Sequence, residues 1–252
     1  MSAARTCVRL INSFVSLVVL LAILLFGAYS MYSLWDNNQV YRQAENVQMQ
    51  MKELKPVLSK TADGGVEVPS FDDLLAVNPD VRAWLTMDGT NIDFPVLQGT
   101  SNLTYINKDV YGNFALAGSI FLDCGNAPDF SDTYNLVYGH HMSNSNMFGD
   151  LDLYRQEKFF RETDTGLLMT RGAVYGLKVV ALVIVSASDE NIFEVRENQD
   201  ADELLAFIRS KAIFVSDSLP ETGEDAQFLA LSTCSADFSD SRTVVITQMF
   251  KH

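Results

Sequence analysis

The chain opens with a long uncharged stretch, over which hydrophobic residues follow one another with few interruptions. Residues 10–34 carry no charge, and a stretch of that length can cross a bilayer as a helix. Arg5 and Arg9 precede it and Asp36 follows it. Because basic flanks favour the cytoplasmic side, the pattern predicts a cytoplasmic N-terminus (residues 1–9), a retained anchor (residues 10–35) and an extracellular remainder. A cleaved signal peptide is the alternative, but no clear A-x-A site follows the stretch.

Polar positions dominate the next segment, residues 36–69, which predicts a juxtamembrane helix and a linker. Ser70 with Asp73 resembles a capping box in front of an apolar helix face. Asn78-Pro79 predicts a second short helix, because proline is favoured at the first helical position. Together these features predict helices ahead of the main domain, which we place at residues 70–252.

The hydrophobic pattern then changes to short runs rich in β-branched and aromatic residues, which are typical of strands. Asp88-Gly89 is a hairpin signal between the first two runs. The predicted strands cover residues 84–87, 91–98, 118–123, 134–141, 167–171, 173–187, 227–233 and 243–250. One longer helix is predicted over residues 200–212. Many short strands with few helices predict a mostly β fold, a closed or nearly closed barrel with peripheral helices.

Composition narrows the range of functions. The chain has 252 residues and a net charge of −14, whereas nucleic-acid binding calls for clustered lysine and arginine. The acidity fits a solvated domain outside a cell. Cys7, Cys124 and Cys234 are too few for a disulfide framework. Cys7 could be acylated but is more simply a bystander, while Cys124 and Cys234 could pair if the fold brought them together.

Three residue types with complementary chemistry stand at the ends of predicted strands. Cys234 ends the run Leu231-Ser232-Thr233, and Arg242 follows it by eight residues. His140 and His141 follow Gly139, and a histidine base would be one of these two. A thiol beside an imidazole can become a nucleophile, and an arginine can stabilise the oxyanion that forms after attack. The set predicts acyl transfer through a thioester. No metal-ligand spacing supports a zinc site.

These residues resemble the sortases, which are membrane-anchored cysteine transpeptidases of Gram-positive bacteria. The family motif reads T-L-x-T-C, and here Ala230 replaces the first threonine. The resemblance runs from about residue 71 to residue 250. Ile92-Asp93-Phe94-Pro95-Val96 and Gly118-Ser119-Ile120-Phe121-Leu122-Asp123 look like class B sortases.

The resemblance implies an eight-stranded sortase barrel with assigned roles. Cys234 is the expected nucleophile, His140 (the histidine directly after the glycine) the acid/base partner, and Arg242 the stabiliser of the oxyanion. The expected groove for the substrate is lined by Asn102, Ile106, Tyr138, Ser232 and Thr233. No metal or cofactor is expected.

The implied reaction starts on a secreted protein with a C-terminal sorting signal related to L-P-x-T-G or N-P-x-T-x. The acyl group passes to an amine of a lipid-linked cell-wall precursor. One alternative is a class B-like pilin polymerase, which uses a pilin lysine as the acceptor. The others are a cysteine protease, in which water resolves the thioester, and a non-catalytic anchored barrel that only binds peptide.

Overall fold

A computed structural model of the chain describes residues 2–60, 66–195, 200–234 and 240–252. The side chains of residues 2–5, 60 and 234 lie outside this description. The chain divides into two compact units, one ending at Arg42 and the other beginning at Gln43.

Helix α1 (Ser2–Lys52) forms the first unit as far as Arg42, and its last turns belong to the second unit. From Thr6 onward α1 is long and apolar enough to cross a membrane by length and composition, and its most apolar window is entirely unburied. An apolar helix is therefore present where the sequence predicts an anchor. The domain boundaries and the insertion of the helix into a membrane stay predictions.

The elements of the second unit follow in chain order. They are β1 (Ser59–Lys60), β2 (Val66–Glu67), α2 (Asp72–Val77), β3 (Val81–Met87), β4 (Asp93–Leu97), β5 (Phe121–Leu122), β6 (Tyr134–His140), a 3-10 helix (Gly149–Arg155), α3 (Glu157–Glu162), β7 (Thr165–Thr170), β8 (Val174–Ser186), α4 (Glu190–Phe193), α5 (Ala201–Lys211), β9 (Phe214–Val215), β10 (Gln227–Cys234) and β11 (Ser241–Lys251). The strands β1 and β2 form a small separate hairpin.

Within the described residues, eight strands close into a barrel in the order β11-β10-β6-β5-β4-β3-β7-β8. An antiparallel pairing of β11 with β8 completes the ring, and β9 adds to β8. Most neighbours are antiparallel, but β10 runs parallel to β6 and β4 runs parallel to β5. The predicted eight-stranded, mostly β barrel is confirmed.

Helix α5 covers one face of the barrel strands that end at the candidate site. Its N-cap Asp200 accepts a hydrogen bond from the backbone N–H of Asp202, which satisfies one of the unpaired donors of the first turn. Leu204, Leu205 and Ile208 are buried in the same cluster as residues of β6, β8, β10 and β11. Each such side chain contributes about 2 kcal/mol by leaving water, so α5 stabilises this part of the barrel by packing against it.

The prediction of a helix opening at Asn78-Pro79 is wrong. The chain enters β3 instead, because the side-chain oxygen of Asn78 accepts from the backbone N–H of Asp80 at 2.9 Å and turns the chain. The amide of Asn78 also donates to the carbonyl of Val110 at 2.7 Å. Residues of β3 are buried on both faces. Their hydrophobic pattern therefore shows no clear period and is as compatible with a helix as with a strand.

The predicted capping box at Ser70 and Asp73 is not formed. The hydroxyl of Ser70 accepts from the N–H of Asp72 at 3.1 Å, and α2 begins at that residue with Phe71 as its N-cap. Phe71 makes no side-chain capping bond. Its ring is buried instead, so packing rather than capping fixes the start of this short helix.

The carboxylate of Asp93 joins Lys55, which lies just past the end of α1, to the barrel. Its Oδ1 accepts from Lys55 Nζ and from Trp84 Nε1, each at 2.7 Å, and from Thr86 Oγ1 at 3.0 Å. Partial burial raises the pKa of Asp93, but the hydrogen bonds from Lys55 and Trp84 outweigh it, and the net pKa lies below the ordinary value.

Replacing Asp93 with alanine should lower the free energy of unfolding by about 2 kcal/mol, because the buried indole N–H of Trp84 loses its acceptor. Because the folded pKa is depressed, the carboxylate's contribution is complete above the unfolded pKa of about 3.9 and is lost as pH falls through the folded pKa. Urea denaturation at neutral pH measures the loss of stability on substitution, and the same measurement at pH ~3 shows how the carboxylate's contribution depends on pH. Asp93→Asn keeps an acceptor for Trp84 and is the matched control. A difference between wild type and Asp93→Asn that does not shrink at low pH would contradict the pKa assignment.

Candidate active site

The register of three neighbouring strands brings the predicted catalytic residues into one row. Strand β10 lies between β6 and β11, and its parallel pairing with β6 sets Cys234 beside His140. On its other side, the antiparallel register pairs Ser232 with Val244, and Cys234 and Arg242 each stand two residues beyond that pair, toward the same end of the sheet. Neighbouring strands lie about 4.8 Å apart, and laterally paired residues share a face of the sheet. We call His140, Cys234 and Arg242 the catalytic row. Residues 235–239 and the side chain of Cys234 lie outside the described residues.

His140 lies at the exposed end of β6. Gly139 precedes it because no side chain fits there: a Cβ on Gly139 would come within 2.5 Å of both Ile120 and Phe148. Partial desolvation of the imidazole, and secondarily the charge of His141, lower the pKa of His140 below its ordinary value. The neutral imidazole is therefore the main form near neutral pH, which favours its action as a base toward a thiol or an incoming ammonium.

His141, the alternative base, is engaged elsewhere. Its Nε2 lies 2.7 Å from Oδ2 of Asp152, in the 3-10 helix. It follows the last residue of β6 and makes an isolated bridge with Met147. The register position and these contacts support His140 over His141 as the partner of the thiol.

Arg242 is half-buried near the start of β11, where it pairs with Val185 of β8. Its Nη1 donates to the carbonyl oxygen of Ser241 at 3.2 Å. Because guanidinium stays protonated in proteins, the strand next to that of Cys234 carries a permanent positive charge.

Two of the predicted groove residues meet on a carboxylate that sequence reasoning missed. Asn102 Nδ2 donates to Oδ2 of Asp123 at 2.7 Å, and the hydroxyl of Tyr138 donates to the same oxygen at 2.9 Å. The side-chain oxygen of Asn102 also accepts from the N–H of Cys124 at 2.8 Å. The only signal in the sequence was the position of Asp123 at the end of a motif that resembles class B sortases. Asp123 is buried and holds both groove residues in fixed orientations.

Tyr138 forms part of an aromatic wall beside the catalytic row. Its ring centroid lies 5.2 Å from that of Phe121 and 6.4 Å from that of Phe193, with which it stacks. Tyr138 pairs with Ser232 across β6 and β10, so it stands two positions before His140 on the same face of the sheet. The aromatic wall therefore lies on the same face of the sheet as the catalytic row and next to it.

The remaining predicted groove residues differ in exposure. Ile106 is 47% exposed and open to contact. Ser232 and Thr233 are both completely buried, although as successive strand residues they belong to opposite faces of the sheet. The hydroxyl of Thr233 interacts with the backbone of Thr243. Neither side chain faces an open groove in this structure.

Other candidate chemistry is limited. In the part of the chain that the structure describes, no group of three or more His, Cys, Asp or Glu residues could hold a metal ion. Cys124 is a free, exposed thiol, so the pairing with Cys234 that the sequence left open is not formed. Cys7 is likewise free and exposed.

Comparisons with known proteins agree with this geometry. The family described as the Sortase domain matches residues 85–250. A Streptococcus pyogenes class B sortase involved in pilus biogenesis is 39% identical, with a TM-score of 0.65 over 72% of this chain and 98% of that one. Sortase B from B. anthracis, solved in complex with AAEK1, is 25% identical with a TM-score of 0.74 over 85% of this chain and 99% of that one. Sortase B from Staphylococcus aureus is 28% identical over 94% of this chain and 96% of its own length.

The match to the Sortase domain and the sortase B relatives indicate that the chain, a barrel with a cysteine strand between a histidine strand and an arginine strand, is a cysteine transpeptidase. The chain belongs to the sortase family, and its relatives are class B sortases.

Proposed function

We propose that the chain is a membrane-anchored transpeptidase in which Cys234 is the nucleophile, His140 the general acid and base, and Arg242 the stabiliser of the oxyanion. The observation that carries the proposal is the register: Cys234 pairs with His140 on one side, and on the other side Cys234 and Arg242 each stand two residues beyond the paired Ser232 and Val244. Three groups of complementary chemistry on adjacent strands fit acyl transfer better than peptide binding alone.

The reaction proceeds in two halves. His140 takes the proton of the Cys234 thiol, the resulting thiolate attacks the carbonyl carbon of the scissile peptide bond, and Arg242 donates hydrogen bonds to the oxyanion. When the C–N bond breaks, the protonated His140 gives its proton to the leaving amine and a thioester remains. A second amine then attacks the thioester and loses its proton to His140. The thiolate leaves and a new amide bond forms.

The substrates in this proposal are secreted proteins with a C-terminal sorting signal of the L-P-x-T-G or N-P-x-T-x type. The acceptor is an amine of a lipid-linked cell-wall precursor. Anchoring by residues 10–35 holds the enzyme at the outer surface of the cell membrane, where both substrates are present. Confinement to one surface raises their effective concentration.

A second candidate acceptor is the lysine amine of a pilin subunit. The supporting observation is that a sortase involved in pilus biogenesis is 39% identical to this chain over 98% of that sortase's own length. The chemistry is unchanged, because a lysine amine attacks the same thioester.

Product analysis separates these functions. The full-length enzyme is incubated with a sorting-signal peptide, alone, with a cell-wall-type amine peptide, and with purified pilin. We expect cleavage at the signal and a new amide with the cell-wall amine, detected by mass spectrometry. A covalent pilin ladder would instead favour the polymerase. Hydrolysis that is indifferent to every amine would favour a protease, and the absence of both cleavage and thioester would leave only the peptide-binding reading.

A further inference from the structure

Directly behind the catalytic row lies a second row of side chains that the proposed mechanism does not use. Thr233 and Thr243 stand next to Cys234 and Arg242 in their strands and therefore belong to the opposite face of the sheet. Both are buried. The backbone N–H of Thr243 donates to the Thr233 hydroxyl at 3.4 Å, so the Thr233 side chain links β10 to the backbone of β11 immediately behind the proposed nucleophile and its arginine.

The 3-10 helix reaches this second row through Arg155, its last residue. Arg155 Nε donates to Oγ1 of Thr243 at 3.2 Å, and Nη2 donates to the same oxygen. Arg155 Nε also lies 3.1 Å from Oδ1 of Asp152, one turn earlier. Arg155 is therefore held by hydrogen bonds to a buried hydroxyl on β11 and by charge attraction to a carboxylate on its own helix.

The same helix holds the end of β6 through Asp152. Its other oxygen, Oδ2, lies 2.7 Å from Nε2 of His141, the residue directly after His140. The chain of contacts runs His141–Asp152–Arg155–Thr243–Thr233. One short helix thus joins the ends of the three strands that carry His140, Cys234 and Arg242.

We propose that Asp152 and Arg155 are positioning residues that hold the catalytic row in register from behind. This inference rests on the proposed function, since it assumes the roles of His140, Cys234 and Arg242. Asp152 and Arg155 touch neither substrate nor reacting atoms in this mechanism. They act by fixing His141 and Thr243, each one residue away from a catalytic side chain.

The exposure of these groups separates positioning from simple stabilisation. The side chains of His141, Asp152 and Arg155 are 22%, 36% and 37% exposed. Ion pairs with this much exposure contribute little to stability. A reacting group misplaced by about 1 Å, in contrast, lowers the rate about 100-fold. Removal of either residue should therefore affect turnover much more than folding.

The test is the steady-state kinetics of the full-length enzyme carrying Asp152→Ala or Arg155→Ala, with a sorting-signal peptide and an amine acceptor. We expect kcat, expressed per Cys234 thiol counted by alkylation and mass spectrometry, to fall about 10-fold or more, while KM stays within about twofold. The double variant should lose about as much as either single variant, because both residues act through one chain of contacts. Arg155→Lys, which keeps the ion pair with Asp152, should recover part of the rate.

Arg161→Ala is the matched control. It breaks an ion pair with Glu157 of similar type, at 2.9 Å on the neighbouring helix α3, and should leave kcat unchanged. If Asp152→Ala fails to fold, Asp152→Asn and Arg155→Ala take its place. An unchanged kcat per thiol in folded Asp152 and Arg155 variants overturns this inference and leaves the proposed function intact. A wild-type enzyme that forms no thioester at Cys234 refutes the proposed function instead.

Discussion

Cys234→Ala should abolish both turnover and the covalent intermediate. Without the sulfur no thioester can form, and the loss should be at least about a thousandfold, because removal of the nucleophile from a catalytic set costs nearly all the covalent catalysis. The variant should still bind the sorting-signal peptide, since the aromatic wall at Tyr138 is untouched. Intact-protein mass spectrometry after incubation with peptide, but without amine, measures the acyl-enzyme directly.

The matched control for this substitution is Cys124→Ala. Cys124 is an exposed free thiol that follows β5 toward the start of β6, whereas His140 stands at the other end of β6. Its contact with Asn102 is made by the backbone N–H, which alanine keeps, so the variant should retain the wild-type rate. The two variants together separate a specific nucleophile from general thiol reactivity. An acyl adduct that persists in Cys234→Ala, or disappears in Cys124→Ala, would refute the assignment of the nucleophile.

Arg242→Ala should reduce kcat by about 100- to 1,000-fold, which is the usual effect of removing one donor to an oxyanion. The reason is that the guanidinium interacts more strongly with the negative oxygen of the tetrahedral intermediate than with the neutral carbonyl of the substrate. KM should change much less than kcat. Initial rates over a range of peptide concentrations give both constants.

Arg242→Lys tests whether charge alone is sufficient. Lysine keeps the positive charge but lacks the planar set of donors, so we expect only partial recovery of kcat. Arg171→Ala, at an exposed position in the turn after β7, removes an arginine away from the row and should have no effect. If Arg242→Ala raises KM and leaves kcat unchanged, Arg242 binds the substrate backbone and does not stabilise the oxyanion.

Much of the fold could be predicted from the sequence, because the strands of this barrel have strong local signals. The run 134–141 and the run 227–233 correspond to β6 and β10 within a residue, since each is short, apolar and rich in β-branched or aromatic residues. The predicted helix over residues 200–212 corresponds to α5, whose apolar face has a clear helical period. The segment after Asn78 failed because β3 is buried on both faces and the local pattern lacks a period.

The candidate site was predictable in its residue types but not in its supporting contacts. Cys234, His140 and Arg242 have complementary chemistry and stand at the ends of predicted strands, and the resemblance to sortases gave them roles. Strand order and register, which place them in one row, depend on contacts between distant parts of the chain. The pairing of Asp123 with Asn102 and Tyr138 joins residues up to 21 positions apart, and a carboxylate at the end of a strand carries no local mark of such a role.

The parallel pairing of β6 with β10 has a consequence for when the enzyme becomes reactive. His140 and Cys234 are about ninety residues apart along the chain, and a parallel pair can be joined only by a long crossover. A nascent polypeptide that has not yet completed β10 lacks Cys234. One that has completed β10 but not paired it with β6 carries the thiol without an imidazole beside it. On the proposed function, the reactive pair is therefore assembled only after the late strand has been made and has docked beside the early one.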